Sequence, residues 1–252
     1  MSSRLLVQTI RSNLRSSLLR NQLVKSTITA PRLFSSGIIR KNENRQQLHE
    51  VLSQELKFEE NDAFGLDESF KTYLEENKIE IINTDGKVLA ELVKKTANET
   101  IHIYFDILRI TQTSFELKQL QEQADNADYL DEEMQDIGVV DVNVVVVKDT
   151  KATGFDLALS LTDSSFSISA ITNFEDAKIA LDDSPVASSI RDLKYSGPEF
   201  TNLAEELQES FNQYLNSRGI NSSLADFILA YAGVKENNEY LDWLSNLKKF
   251  TA

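Results

Sequence analysis

The run GVVDVNVVVVKDTKATGFDLALSLTDSSFSISA, residues 138–170, alternates in hydropathy three times over. Val140, Val142, Val144 and Val146 occupy every second position, as do Phe155, Leu157, Leu159 and Leu161. After a polar turn at Asp163-Ser164 come Phe166, Ile168 and Ala170. Side chains of a strand point to opposite faces with period two, so each segment predicts a strand with one buried face. The opposite face of the first segment carries Asn143 and otherwise reads as apolar, which predicts a central strand. Upstream, Ile79 and Ile81 alternate with polar residues, Asp85-Gly86 supplies a tight hairpin turn, and Val88, Ala90 and Leu92 follow. Ile101, Ile103, Phe105 and Ile107 share one face of a further strand, with His102, Tyr104 and Asp106 on the other. Strands joined by short turns, without intervening helices, predict an antiparallel meander.

Both flanks change period. Leu48, Val51, Leu52 and Leu56 form a narrow apolar stripe, predicting a helix over 46–58. Phe200, Leu203, Leu207, Phe211, Tyr214 and Leu215 keep helical spacing, with Pro198 before them and Gly219 at the expected C′ stop. Ser223 and Asp226 resemble a capping box for a helix whose inner face holds Leu224, Phe227, Ile228 and Tyr231. Tyr240, Trp243, Leu244 and Leu247 predict one more helix. Helix, antiparallel sheet, helices is the α+β class. Three Pro and eight Gly leave no room for long disordered linkers, so residues 43–252 read as a single acidic domain.

Charge divides the chain in two. The first 42 residues hold eight Lys or Arg and no acid; residues 43–252 hold 18 basic against 40 acidic residues, a net charge of −22. In the opening segment Leu5, Leu6, Ile10, Leu14, Leu18 and Leu19 fall on one helical face, with Arg4, Arg11 and Arg15 largely off it. An Arg- and Ser-rich, acid-free amphipathic segment predicts a mitochondrial presequence over 1–42, cleaved near Phe34/Ser35 or a few residues later. A basic arm that binds nucleic acid or anionic lipid is the other reading of this composition. No run of about 20 apolar residues exists to span a membrane.

Catalytic signatures are scarce in the chain. Cys is absent, which removes thiol nucleophiles and thiolate metal sites, and the histidines are His49 and His102. No phosphate-cradling Gly loop, nucleophile elbow or zincin pattern occurs. Asp125, Asp128 and Asp131 recur every third residue without Gly, unlike the alternate-position ligands of a calcium loop. The reading is therefore of a non-enzyme with no cofactor and no dedicated metal site. Acid concentrates in two places: the connection 113–136, with Glu122, Asp125, Asp128, Asp131, Glu132, Glu133 and Asp136, and the segment 174–194, with Asp182 and Asp183. Such a body repels phosphate and attracts basic proteins, so no direct nucleic-acid binding is expected of the mature chain.

One longer run adds to this. Tyr195-Ser196-Gly197-Pro198-Glu199-Phe200, Leu203, Leu207-Gln208, Tyr214-Leu215, Arg218-Gly219-Ile220, Leu224-Ala225 and Phe227-Ile228 stand in order. Lys235-Glu236-Asn237-Asn238-Glu239-Tyr240 and Trp243-Leu244 close it. Together with the presequence and the acidic, strand-rich middle, the run resembles the mitochondrial glycoprotein family, and its fungal acidic matrix members most of all. The resemblance implies a highly twisted, about seven-stranded antiparallel sheet flanked by one N-terminal and two or more C-terminal helices, assembled as a ring-shaped homotrimer. It implies a chaperone-like matrix protein that supports mitochondrial translation, ribosome assembly and oxidative phosphorylation, and it carries over no catalytic residue. The expected partners are Lys/Arg-rich mitochondrial proteins such as ribosomal proteins, held by the carboxylates named above. Two other readings stand beside this one. One is an RNA-associated translational regulator acting through protein partners. The other is a hydrolase built on Asp182, Asp183 or His102.

Overall fold

A computed structural model of the chain describes residues 37–123 and 137–252. The chain divides between Asn44 and Arg45, and the fold below is that of Arg45–Ala252. Six strands lie in sequence order in one antiparallel sheet. They are β1 (Ile79–Ile82), β2 (Leu89–Lys95), β3 (Thr100–Asp106), β4 (Val139–Lys148), β5 (Lys151–Ser160) and β6 (Ser165–Phe174). The resemblance implies about seven strands; the described residues form six. Helices α1 (Gly37–Asp62) and α2 (Glu68–Asn77) precede the sheet, and α3 (Ile107–Gln123) interrupts it. After β6 come α4 (Ala177–Leu181), α5 (Pro185–Asp192), a short 3-10 turn at Phe200–Asn202, α6 (Glu205–Asn216) and α7 (Ser222–Thr251).

The period-two reading holds. Val142 and Val144 on β4, Ile101 and Ile103 on β3, and Leu157 and Leu159 on β5 are almost wholly shielded from solvent. At roughly 1.5–3 kcal/mol for each large side chain, this face is the main stabilising layer. Leu224, Phe227 and Ile228 of α7 close it from the other side. Phe227 is the hinge of an aromatic chain. It lies 6.0 Å from Phe70 and 5.8 Å from Tyr73 of α2, and 5.7 Å from Tyr231 of α7, which in turn meets Phe105 of β3 at 6.2 Å.

β4 is central, paired with β3 and β5. Its second face is not apolar throughout: Asp141 and Asn143 are exposed, and Val145 is buried by a smaller cluster with Ala152, Phe174, Ala177 and Ala180. A register shift in β5–β6 pairs Asp156 with Ala170 and Leu157 with Ile168. The extra residue, Ser169, reverses the alternation predicted for β6. Ile171, not Ala170, therefore packs on the core.

Several expectations are corrected. The β3–β4 connection contains α3, so the meander is not free of helices, and 113–123 of the expected acidic connection is helical. Its remainder, 124–136, lies outside the described residues, as does the presequence over 1–36. The segment 174–194 holds two short helices; Ser184 caps α5 by accepting from the Ala187 N–H, followed by Pro185 at the first turn. The last strand ends at Phe174. The two helices expected after residue 222 are one helix of 30 residues, capped by Asn221 rather than Ser223. Helix α1 extends well beyond 46–58, and only Leu52 and Leu56 of its stripe are buried, against Leu244 of α7.

Gly219 does terminate α6 as its position predicts. Its φ is +86°, its N–H donates to the Asn216 carbonyl, and the Ile220 N–H donates to the Leu215 carbonyl. That pair of bonds is the Schellman arrangement with Gly219 at C′.

Candidate functional site

Register places a polar row straight across the sheet face that turns away from α7. Glu91 pairs with Tyr104, Tyr104 with Asn143, and Asn143 with Asp156. These four alternate with the buried Leu92, Ile103, Val144 and Phe155, so period two that fills the core also collects polar groups outside it. Glu91 Oε1 accepts from the Tyr104 hydroxyl at 3.1 Å and lies 2.8 Å from His102 Nδ1. Asn143 Nδ2 donates to Asp156 Oδ1 at 2.7 Å. The imidazole and phenol rings of His102 and Tyr104 lie nearly parallel, 6.2 Å apart.

The electrostatics of this row are those of a half-desolvated acidic surface. Burial pushes the Asp156 carboxyl above the usual carboxylate range; the Asn143 hydrogen bond opposes the shift and neighbouring Asp141 adds to it. Burial, reinforced by Glu91, raises the Tyr104 phenol far above its ordinary value. Tyr104 therefore stays protonated and serves as a donor, not as a nucleophile. His102 has its Nδ1 engaged by Glu91. The arrangement can orient hydrogen-bond partners and attract cations; it places no activated nucleophile beside a base.

The carboxylates named from the sequence fall elsewhere. Glu122 is exposed on the last turn of α3. Asp125, Asp128, Asp131, Glu132, Glu133 and Asp136 lie outside the described residues. Asp182 and Asp183 are exposed between α4 and α5. Asp182 Oδ1 accepts from the Ser184 N–H at 2.8 Å, which helps form the turn into α5. Asp183 sits 3.7 Å from Lys87 Nζ. Arg191 donates to the Ile179 carbonyl at 2.8 Å and to that of Asp182, holding α4 and α5 together. Tyr104 packs against the small cluster that contains Ala177 and Ala180 of α4, so the α4–α5 segment borders the polar row. Glu91, Asp141 and Asp156 were absent from the sequence-derived site. Their signal is the alternation itself, because each stands one position from a core residue.

His49, the other histidine, is structural: its Nδ1 lies 3.1 Å from the Lys248 carbonyl and 3.2 Å from Thr251 Oγ1, tying α1 to the end of α7. Among the described residues no group of three or more His, Asp or Glu is placed to hold a metal ion, and no helix is long and apolar enough to cross a membrane.

Against this geometry, the family model of the mitochondrial glycoproteins matches residues 52–251, from the middle of α1 to the end of α7. The chain belongs to the mitochondrial glycoprotein family. The family match spans the whole sheet and both of its helical flanks. Among relatives of this chain is the mitochondrial acidic protein mam33 of Schizosaccharomyces pombe, 29% identical over 247 residues, covering 92% of this chain and 87% of the relative. An uncharacterized mitochondrial protein of Arabidopsis thaliana is 40% identical over 58 residues, 23% of each chain. The fold is that of the Trypanosoma brucei p22 protein (TM-score 0.61, 24% identity), with 83% of this chain and 99% of that one aligned. It is also that of a Leishmania major protein described as a sequence homologue of human p32 (TM-score 0.61, 17% identity, the same coverage).

Proposed function

We propose that the chain is a non-enzymatic, acidic, chaperone-like binding protein of the mitochondrial matrix that holds Lys/Arg-rich client proteins. Through such clients, ribosomal proteins among them, it supports mitochondrial translation, ribosome assembly and oxidative phosphorylation. The observation that carries this reading is the charge of residues 43–252, 18 basic against 40 acidic residues. A field of that sign speeds the encounter with cationic partners and repels nucleic acid phosphate. Family membership and the mitochondrial acidic protein of S. pombe support it. Residues 1–42 act as the import presequence and leave the working protein more acidic than the full chain.

The same reading includes assembly as a homotrimer. Leu48, Val51 and Phe58 of α1 and Val186 and Ile190 of α5 are large apolar side chains left exposed in the single chain. Association that covers them would bury apolar area on both helices.

The test is crosslinked capture from matrix extract, with bound proteins identified by mass spectrometry. It is run with the wild-type chain and with Glu122, Asp125, Asp128, Asp131, Glu132, Glu133 and Asp136 changed to their amides. The expected catch is enriched in basic proteins, and the amide variant loses them. A catch with no bias in charge contradicts the reading.

A further inference from the structure

The β1–β2 turn, the start of α3 and the second half of α7 enclose a groove of about 790 Å³ that none of the acidic segments described above contributes to. Its size is that of a site for a small ligand or a few side chains. The floor is apolar: Ile107 is buried, while Val88 and Leu108 remain about two-fifths exposed. One wall is Trp243, stacked on Tyr240 at 5.9 Å and 20°, yet 55% exposed. Its only aromatic neighbour among the described residues is Tyr240, which leaves much of the indole open to a ligand.

The charges around this groove sort into used and unused. Lys235 is buried and donates to Glu239 Oε1 at 2.6 Å and to the Thr84 carbonyl at 3.1 Å. Glu239 also accepts from the Gly86 N–H, at 2.9 and 3.0 Å to its two oxygens. These bonds fasten the β1–β2 turn to α7 and neutralise Glu239. Lys87 leans toward Asp183. Asp85, Glu236 and Asp242 line the groove with no ion-pair partner among the described residues.

We infer that this groove is a docking site for a basic, leucine-bearing peptide segment of a client. An Arg or Lys lies over the Trp243 indole between Asp242 and Glu236, and the adjacent apolar side chain sits on Val88 and Leu108. The occupant follows from complementarity: an exposed indole in a groove lined by carboxylates that have no ion-pair partner among the described residues favours a cation, and the apolar floor disfavours a purely polar one. The inference rests on the reading of the chain as a holder of basic clients and deepens it by naming a place and a sequence preference.

Trp243 is the single tryptophan of the chain, so its fluorescence reports the groove without a label. The probe is a short synthetic peptide alternating Leu and Arg, titrated into the full chain. Saturable change of the emission is expected. By fluorescence anisotropy of the labelled peptide, Trp243→Ala, or Glu236→Gln with Asp242→Asn, weakens binding about fivefold to tenfold. Glu75→Gln with Glu76→Gln, an equal loss of charge at the exposed end of α2, leaves it unchanged. Trp243 is 55% exposed, so its replacement is expected to spare the core, with a circular dichroism spectrum like that of the wild type.

Four results overturn the inference, in three ways. Groove variants that bind like wild type, or a Ser/Arg peptide that binds as tightly as the Leu/Arg one, remove the groove and leave general acidic capture standing. A Leu/citrulline peptide that binds as tightly removes the basic-client reading at this site. A Trp243→Ala chain that changes oligomeric mass assigns the groove to a second copy instead.

Discussion

Arg218 and Glu99 form the most enclosed ion pair joining the C-terminal helices to the sheet. Arg218 Nε and Nη2 donate to the two oxygens of Glu99 at 2.9 Å each, and both side chains are about four-fifths buried. The guanidinium also lies 3.4 Å over the Tyr214 ring. Removing one partner strands a charge in a poorly solvated place, so Arg218→Ala is expected to cost about 3–5 kcal/mol in urea unfolding. Arg218→Met combined with Glu99→Gln should lose much less, because no unpaired charge remains. A second residue-scale prediction concerns Asp156, whose carboxyl is raised by burial. Its folded value lies above its unfolded one, so the folded state holds the proton longer, and stability falls as pH rises through the folded value. Asp156→Asn keeps an acceptor for Asn143 and removes the charge. It is expected to raise the thermal midpoint at neutral pH and to flatten the fall between acid and neutral pH, read by thermal melts across that range.

Among the elements, Gly219 is the sharpest local test. Its φ of +86° is unfavourable for any other residue, and a Cβ there would stand 2.9 Å from Lys94 Nζ, which donates to the Arg218 carbonyl. Gly219→Ala should cost about 1 kcal/mol or more and disturb that bond, as seen in denaturant midpoints. This stop was legible in the sequence because Gly at C′ is a local backbone requirement. The six strands were legible for the same kind of reason: alternation such as Val140 to Val146 is written within a few residues. Helix α7 was not legible as one piece. Its apolar face is interrupted at Lys235 to Glu239, and the two ends of that stretch, Lys235 and Glu239, grip the β1–β2 turn, a contact about 150 residues away in sequence. α4 and α5 were hidden by shortness, since eight residues or fewer show barely two turns of periodicity. Of the residues proposed to act, the acidic segments were legible as composition. The polar row needed the register, and the Trp243 groove needed the tertiary contact between α7 and the turn.

At the scale of the whole molecule, charge and fold divide the work. One sheet face and the helices over it make a dry core around Phe227, while Glu91, Asp141 and Asp156 and the Asp182-Asp183 turn lie on the other side of the sheet or at its border. Acid that would destabilise a core is thus displayed where a cationic surface can meet it. Screening acts on such exposed charge over about 10 Å at ordinary ionic strength and less at higher salt. The most direct measurement is the dissociation constant of the full chain for a purified Lys/Arg-rich mitochondrial ribosomal protein, titrated from about 0.05 M to about 0.5 M salt, over which the Debye length shrinks about threefold. Electrostatic capture of basic clients weakens by at least about tenfold over that range, carried largely by the association rate. An affinity unchanged across it would rule out capture through the acidic surface.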